Sequence, residues 1–401
     1  MLPVQHNVHN TAKEHVVAVF KDSWSNQEGS NRVSKLFADQ FGHEPEQVWA
    51  APGRVNIIGE HTDYNEGLCL PIALNHRTFA AVSFRNDDVV RVVSRLDSVH
   101  VWEGKLSDIG PNSPDSWASY AVGPAWALGV THGFDAAIDS CVPTGAGLSS
   151  SAAIECAVGA AFVPTETQAE RKELASACVT SENIVSGAAT GGLDQSASML
   201  CTEGNALYLD CQSWETRSIP FDMSRFDLSL LVIDTRATHS LNDGQYEKRR
   251  RSCEEAAQLL GVNSLREATL EDLDKLDGVL LQRARHVVTE IQRVRDVVAL
   301  LEDQRPHEIG SLLNASHASL RDDYEVSCAE LDVAVESATA AGALGARMTG
   351  GGFGGSAIAL VPNAAFDAVT QAVETAFADH GFTPPHFLRT IAAQGAERVE
   401  A

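Results

Sequence analysis

The sequence predicts an α+β protein built from two domains, with mixed sheets and helices. Its 401 residues exceed the size at which a single hydrophobic core normally stops growing. Helical and strand patterns both occur, but they do not show the regular β-α alternation of a doubly wound sheet. A composition of 44% hydrophobic and 21% charged residues is ordinary for a globular chain. We predict the domains at 1–213 and 214–401.

The first half of the chain alternates between helical and extended patterns. Apolar residues at helical spacing predict one or two amphipathic helices over 13–41. A short strand at 48–53 is predicted to break into a turn at Pro52 and Gly53. Further predictions are strands at 78–84 and 89–93 joined by a hairpin loop at 86–88, a polar loop at 112–116, a strand at 136–141 and a helix at 150–162.

The second half has a different pattern. A continuous apolar run at 228–233 predicts a buried strand. Leucines at helical spacing and dense charge predict a helix-rich stretch over 245–336. A glycine-rich segment and a strand at 357–361 follow. The mixture of elements favours α+β for this half as well.

The formal net charge of −24 bears on the choice of partners. Nucleic acids and anionic membranes select basic surfaces, so we expect neither as a partner. An anionic ligand would need a local cluster of donors, backbone amides and a metal ion. A monomer is expected, and a dimer stays open.

The eight cysteines are scattered, without a CxxC pair or zinc-ligand spacing, which predicts reduced and mostly buried thiols. The N-terminal residues lack the apolar core of a signal peptide, and no apolar run approaches the ~20 residues that span a bilayer. We therefore expect a soluble, cytoplasmic protein.

Residues 52–67, extending to Leu70 and Pro71, form the first of three loops that carry chemistry. This loop gathers a guanidinium at Arg54, carboxylates, an imidazole and an asparagine among glycines, which is too polar for a core segment. Glu60, His61 and Asp63 could together hydrogen-bond several neighbouring hydroxyls, as a sugar requires. An exposed turn with capping acids is the alternative for any one of these residues.

The second loop, at 142–151, joins a predicted strand to a predicted helix. Its glycines let consecutive amides turn toward an anion, and the positive end of the helix adds to the attraction. No lysine follows, so this is not a Walker A loop. Serines that simply cap the helix are the alternative. The residues predicted to surround phosphates are Gly145, Ala146, Gly147, Leu148, Ser149, Ser150 and Ser151, and the Ser151 hydroxyl could also reach a magnesium ion.

The third loop, at 350–355, contains five glycines. So many glycines cost backbone entropy, which is tolerated where a loop must approach a ligand or another loop closely. A flexible linker is the alternative, and the strand that follows at 357–361 disfavours it.

Two acids lie on either side of a glycine turn. Glu182 precedes the turn, and Asp194 follows it. Alone, each carboxylate is more often a solvated or capping group. With Arg54 and Ser151 they supply the remaining parts of a phosphoryl-transfer site. We therefore predict that these four side chains converge.

These segments resemble the galactokinases, within the kinase family that also includes homoserine, mevalonate and phosphomevalonate kinases. The stretch GRVNIIGEHTDYNEG at 53–67 is similar to the galactokinase motif almost letter for letter. PTGAGLSSSAA and RMTGGGFGG are shared more widely in the family. The resemblance extends from about residue 41 to 361, including ATHSLNDGQYEKRR and SHASLRDDYEVS. It implies the family's two-domain fold, with the active site in the cleft between the domains.

The resemblance also implies a reaction, in which the γ-phosphoryl group of MgATP passes to the anomeric hydroxyl of galactose. It implies that Asp194 accepts the proton of that hydroxyl, with Arg54 beside it. The other implied roles are galactose binding by Glu60, His61, Asp63, Gly191 and Tyr246, magnesium binding by Ser151 and Glu182, and a position near the adenine for Trp117.

The stretch 188–193 departs from better-known galactokinases, which carry cysteines and an isoleucine-methionine pair before the aspartate. Because this stretch lies beside the sugar, a kinase for N-acetylgalactosamine or arabinose stays open. A non-catalytic sensor of sugar and ATP is a further alternative, which the uninterrupted Ser149–Ser151 run and the presence of Arg54 and Asp194 disfavour.

Overall fold

The computed structural model describes residues 18–97, 100–188, 190–237 and 244–400. In these ranges the chain forms an α+β fold of fourteen strands and ten α-helices. The strands are β1 (Val19–Phe20), β2 (Gln47–Asn56), β3 (Leu68–Cys69), β4 (Pro71–Phe84), β5 (Val89–Ser94), β6 (Trp102–Lys105), β7 (Phe134–Ser140), β8 (Asn205–Asp210), β9 (Thr216–Pro220), β10 (Leu228–Asp234), β11 (Gly345–Thr349), β12 (Ser356–Pro362), β13 (His386–Thr390) and β14 (Glu397–Val399). The helices are α1 (Asn26–Phe41), α2 (Ala118–Ala127), α3 (Ser150–Gly159), α4 (Gln168–Ile184), α5 (Leu193–Leu200), α6 (Gln245–Leu260), α7 (Gly278–Glu302), α8 (Gly310–Asp322), α9 (Ala329–Ala340) and α10 (Phe366–His380).

A six-stranded sheet in the order β14-β2-β4-β7-β5-β6 organises the first half. Successive side chains of a strand point to opposite faces. Phe79 and Ala81 of β4 accordingly pack with α1, while Ala80 and Val82 join the core formed with α2 to α5. The sheet therefore lies between α1 on one face and the helices that carry the site on the other.

Helix α1 confirms the later part of the helix predicted at 13–41. Val33, Leu36 and Phe37 are buried at the predicted helical spacing. Ser25 caps its first turn by accepting a hydrogen bond from the amide of Glu28, and Gly42 ends the helix at φ 81°.

The earlier part of that prediction is wrong where the structure describes it. Val19 and Phe20 form β1, which pairs in parallel with β13, and the Phe20 ring lies 6.1 Å from the ring of Phe366. A β-branched and an aromatic residue suit such an edge position. Residues 13–17 lie outside the described residues.

The predicted hairpin between β4 and β5 is also wrong. Both strands exist, but β7 lies between them, antiparallel to β4 and parallel to β5. The residues at 86–88 therefore join two strands that are not neighbours. Strand β7 begins about 50 residues after β4 ends, so its pairing with β4 is non-local. Short-range turn signals in the sequence do not indicate such a pairing.

The turn predicted at Pro52 and Gly53 is absent, because β2 continues through these residues. Its register against β4 shifts between Pro52 and Arg54, which marks a β-bulge. Gly53 is required here, since a β-carbon would stand 2.5 Å from the carbonyl oxygen of Leu148. The bulge brings Arg54 against the second loop, and its amide donates to that same carbonyl at 3.1 Å.

A five-stranded sheet in the order β1-β13-β10-β12-β11 organises the second half. Strand β10 is fully buried, as predicted for 228–233, and α9 packs against β11 and β12. Helices α6 to α9 confirm the helix-rich stretch predicted at 245–336. Strands β3, β8 and β9 form a third, smaller sheet.

Both terminal segments cross the predicted domain boundary. Strand β1 joins the five-stranded sheet, whereas β14 pairs with β2 at the edge of the six-stranded sheet. The boundary after residue 213 stays a prediction. Within the described ranges, none of the helices combines the length and hydropathy needed to span a bilayer.

Candidate active site

Asp194 lies in the first turn of α5, where the positive end of a helix favours a carboxylate. Gly192 precedes this helix at φ 91°, a conformation that few residues other than glycine adopt. Asp194 Oδ1 accepts a hydrogen bond from Arg54 Nε at 2.7 Å, and Oδ2 accepts one from Ser149 Oγ at 2.6 Å. The carboxylate is therefore held from two sides by residues distant in sequence.

Arg54 joins the first loop to the second. While its Nε bonds Asp194, its Nη1 donates to the carbonyl oxygen of Gly147 at 2.7 Å. The side chain is buried, with 8% of its surface exposed, so these contacts replace water as its main partners.

A polar cavity of about 150 Å³ opens beside Asp194. Both halves of the chain contribute to its wall, which is consistent with the prediction that the active site lies between the two domains. The lining residues are Arg54, Glu60, His61, Asp63, Glu182, Thr190, Leu193, Asp194, Tyr246, Gly350 and Gly351. Thr190 and Leu193 were not predicted as site residues, although both lie within the glycine turn that the sequence singled out.

Glu60 ties the first loop to the third. Its Oε1 accepts hydrogen bonds from Thr349 Oγ1 at 2.9 Å and from the Gly350 amide at 2.7 Å. Its Oε2 accepts one from Asn56 Nδ2 at 3.2 Å. Arg347, which is fully buried, lies 3.6 Å from Oε1. These supporting residues were not predicted from the sequence, although Asn56 and Arg347 lie within the motifs GRVNIIGEHTDYNEG and RMTGGGFGG.

His61 is neutral, with a defined tautomer. Burial and the neighbouring His286 lower its pKa to about 3. A carbonyl oxygen can only accept, so Nε2 donates to Gly351 at 3.1 Å. Nδ1 then accepts from the Tyr64 hydroxyl at 2.9 Å. The ring is thus fixed between two loops at the cavity wall.

Asp63 and Tyr246 complete the predicted sugar-binding set. Partial burial in the cavity wall, with the nearby charge of Asp194, raises the pKa of Asp63 to about 6. The ring of Tyr246 lies 5.6 Å from that of His61 and 5.1 Å from that of Tyr64. The backbone of Gly191 lies against the Asp63 side chain. The structure therefore brings all five predicted sugar-binding residues together.

The second and third loops contact each other through their backbones. A β-carbon on Gly350 would stand 3.0 Å from the carbonyl oxygen of Gly147, and one on Gly355 would stand 3.1 Å from that of Ala146. Ser356 Oγ also donates to Ala146 at 2.7 Å. The predicted close approach of the third loop is confirmed, and the linker alternative is wrong.

Ser149 does not act as an ordinary helix cap. Its backbone has φ 60°, and its side chain makes no capping bond to α3 but donates to Asp194 instead. The first amides of α3 have no acceptor within the helix and carry its positive end. The loop from Gly145 to Ser151 therefore presents backbone donors beside the carboxylate, and its predicted role in phosphate binding stays a prediction.

Glu182 lies near Ser151, at the end of this loop. Burial and the charge of Asp194 raise the pKa of Glu182 to about 7, while the hydrogen bond from Gln195 and the nearby Ser151 hydroxyl oppose the rise. Among the described residues, no cluster of three or more His, Cys, Asp or Glu side chains could hold a metal by itself. Magnesium in kinases usually takes one or two carboxylates and completes its shell with phosphate oxygens and water. The Glu182 carboxylate and the Ser151 hydroxyl, beside the loop predicted to bind phosphates, fit that requirement.

Trp117 lies just before α2 and is half-buried. Its Nε1 donates to Asp97 Oδ2 at 2.6 Å, and its ring packs against the core shared by α2 to α5. Its place near an adenine stays a prediction. Residue 189 of the divergent stretch, and residues 238–243 of the segment before Tyr246, lie outside the described residues.

Three family models match the chain. They are described as "Galactokinase galactose-binding signature" over residues 35–84, "GHMP kinases N terminal domain" over 119–202 and "GHMP kinases C terminal" over 297–379.

Curated proteins named galactokinase are similar over most of their length. The Streptomyces coelicolor protein is 47% identical, covering 92% of this chain and 98% of its own. The Mycobacterium tuberculosis protein is 44% identical, covering 87% of this chain and 98% of its own. The Bos taurus protein is 40% identical, covering 91% of this chain and 95% of its own.

Solved structures extend this similarity to the fold. The galactokinase of Lactococcus lactis complexed with galactose matches with a TM-score of 0.86 and 32% identity, covering 92% of this chain and 99% of its own. A mevalonate kinase from Methanococcus jannaschii shares the fold at a TM-score of 0.62 and 18% identity, covering 86% of this chain and 98% of its own.

Proposed function

Since this chain belongs to the galactokinase family of the GHMP kinases, we propose that its site transfers the γ-phosphoryl group of ATP to the anomeric hydroxyl of D-galactose. The products are galactose 1-phosphate and ADP. The observation that supports this proposal most directly is the position of Asp194, which lines a polar cavity and is hydrogen-bonded to Ser149 of the second loop.

Asp194 is the residue that we propose to receive the proton of the sugar hydroxyl. Arg54 and Ser149 each occupy one of its oxygens, so the carboxylate has a fixed orientation and still has lone pairs facing the cavity. The hydroxyl becomes acidic only as its bond to phosphorus forms, so a late proton transfer to a weak base suffices. Such assistance is typically worth about 10²–10⁴-fold in rate.

The cavity residues would bind the sugar in one orientation. Galactose presents several neighbouring hydroxyls, which donate and accept hydrogen bonds. Glu60 and Asp63 supply acceptors, Gly191 leaves room beside Asp63, and Tyr246 offers a flat side chain with a hydroxyl. His61 would contribute by packing its ring beside the sugar, because both of its ring nitrogens are already hydrogen-bonded to Tyr64 and Gly351.

The amides and hydroxyls from Gly145 to Ser151 would hold the phosphates, with Trp117 near the adenine. We propose that Ser151 and Glu182 hold magnesium, which when bound would neutralise phosphate charge during transfer. Glu182 is suited to this role because it is buried and lies near both Asp194 and Ser151.

We also propose that the protein works in the cytoplasm, where ATP is available. All eight cysteines are free thiols, and six of them are buried, which supports a reducing compartment.

The deciding experiment measures ADP release by the purified protein with magnesium, ATP and galactose, followed by NMR identification of the phosphorylated position. We expect release that depends on galactose and a product carrying phosphate at C1. N-Acetylgalactosamine and arabinose, tested in parallel, address the divergent stretch at 188–193. Binding of galactose and ATP without ADP release would contradict the proposal and favour a sensor.

A further inference from the structure

Gln195 bridges two buried carboxyl groups beside the site. It follows Asp194 on α5, and its Nε2 donates to Glu155 Oε2 at 3.0 Å and also to Glu182 Oε2. A primary amide has two N–H groups, so this nitrogen gives one to each acid. Glu155 belongs to the interior of α3, where neighbouring side chains are small and apolar. The function described above assigns no role to either Gln195 or Glu155.

This arrangement costs folding free energy, which indicates that it serves a function. Gln195 and Glu155 are both fully buried. Within the described residues, Glu155 Oε1 and Gln195 Oε1 have no hydrogen-bond partner. Buried polar atoms without partners destabilise a fold, and native structures contain few of them. An apolar pair of similar size would fill this space at lower cost.

The bridge joins the three helices that carry the reacting groups. Ser151 and Glu155 are four residues apart on α3, so they lie on the same face of that helix. Glu182 lies on α4, and Asp194 and Gln195 are adjacent on α5. A single amide thus connects the helix of the proposed base to the carboxylate that we expect to hold magnesium.

We propose that Gln195, anchored by Glu155, is a positioning residue that fixes the Glu182 carboxylate for binding the metal of the metal–nucleotide complex. This inference rests on the proposed function, in which Glu182 binds that metal. Glu155 acts as an acceptor that holds the amide in place, and it does not touch the metal itself. Residues that orient metal ligands typically change metal affinity by about 10- to 100-fold when replaced.

The test uses Mn²⁺ as the probe, because its free concentration can be followed by electron paramagnetic resonance in the presence of a non-hydrolysable ATP analogue. Gln195→Leu keeps the size of the side chain but removes both donors. We expect it to weaken Mn²⁺ binding by about 10- to 100-fold. Galactose affinity, measured by calorimetry without metal, should stay within about twofold of wild type. Loss of a residue that only supports the fold would instead weaken the binding of both Mn²⁺ and galactose.

A pair of variants at Glu155 tests the anchor and serves if Gln195→Leu does not fold. Glu155→Leu removes the acceptor and is expected to weaken Mn²⁺ binding in the same direction. Glu155→Gln keeps an acceptor oxygen for Gln195 Nε2 without a charge, and should restore the affinity of wild type. If the Glu155→Gln variant is as defective as Glu155→Leu, the anchor acts through its charge and the proposal is wrong.

Wild-type Mn²⁺ affinity in both Gln195→Leu and Glu155→Leu would also overturn the proposal. Galactose-dependent ADP release by the wild-type protein is measured first, because its failure would refute the proposed function. An active wild type with unchanged metal binding in the variants would refute only the positioning role.

Discussion

Gly191 lies so close to Asp63 that a β-carbon on residue 191 would stand 2.0 Å from Asp63 Oδ2. Real β-carbons essentially never approach another heavy atom closer than 3.0 Å, so any side chain here must displace the carboxylate. Two residues more than 120 positions apart in sequence therefore determine each other's place at the wall of the cavity.

Gly191→Ala is expected to raise the KM for galactose by about tenfold or more, the cost of losing one hydrogen bond to a charged group. The KM for MgATP should change little, because the displaced side chain faces the sugar cavity. Steady-state kinetics with each substrate varied checks this. Gly110→Ala is the control, since its β-carbon would meet only Trp126 Nε1 at 3.8 Å. Equal effects on both KM values would contradict the prediction.

Asp194→Asn should retain galactose and MgATP binding but lower kcat by about 10²–10⁴-fold, the usual contribution of a general base. The site should tolerate the amide, because Arg54 can still donate to its oxygen and the Ser149 hydroxyl can turn to accept from its nitrogen. Calorimetric binding and kcat are measured together. Glu302→Gln, in an exposed ion pair with Arg217, is the matched control. A kcat near that of wild type would leave Asp194 as a positioning group.

Glu182→Gln is expected to raise the magnesium concentration needed for half-maximal rate while leaving the KM for galactose nearly unchanged. The amide keeps the size of the side chain but removes the negative charge that attracts a divalent cation. Titration of activity with magnesium at saturating ATP provides the measurement. The assignment of Glu182 fails if the curve of the variant superimposes on that of wild type.

Galactose binding should weaken as the pH falls from 7.5 to 5.5. Partial burial and the charge of Asp194 raise the pKa of Asp63 to about 6, so this side chain gains a proton in that range and loses an acceptor for the sugar. Calorimetric titration at several pH values measures the affinity. Asp63→Asn should bind weakly at every pH, with a flatter profile. Parallel profiles for the two proteins would assign the pH dependence to another group.

His286 is expected to make stability depend on pH. Burial lowers its pKa from 6.5 to about 4, so between these values the unfolded chain binds a proton that the folded chain does not. Its contribution to the unfolding free energy is therefore present above pH 6.5 and is lost as the pH falls toward 4.

His286→Gln removes this titration. The difference in unfolding free energy between wild type and variant should be largest near pH 7.5 and shrink by about 1.4 kcal/mol per pH unit below the ordinary pKa of histidine. Urea denaturation at pH 7.5, 6.5 and 5.5 measures it. A difference that stays constant with pH would contradict the expectation.

The parts of the fold that follow from local pattern were predictable from the sequence. Helix α1 follows from the spacing of Val33, Leu36 and Phe37, and strand β10 follows from an unbroken apolar run. The hairpin failed because β7 enters between β4 and β5, and the pairing of distant strands leaves no local trace. The turn at Pro52 failed because a bulge allows proline and glycine to remain in a strand.

The residues proposed to act in the candidate site could be predicted from the sequence, whereas the residues that hold them in position could not. The chemistry of the first two loops singled out Arg54 and Ser151, and the glycine turn between two acids singled out Glu182 and Asp194. The structure brings these four residues together. Gln195 gave no such signal, since an amide beside an acid is common on helix surfaces. Glu155 did give one, as the single charged residue of α3, a helix otherwise made of small or uncharged residues.

Strands β1 and β14 have a consequence for the integrity of the chain. Each terminal segment supplies an edge strand to the sheet built by the opposite half, so a cut after residue 213 would leave β2 and β13 without a neighbour on one side. Unpaired strands of this kind invite aggregation. Two separately expressed fragments would therefore have to associate before either is stable. In the intact chain, the covalent link keeps each half close to the strand that completes its sheet.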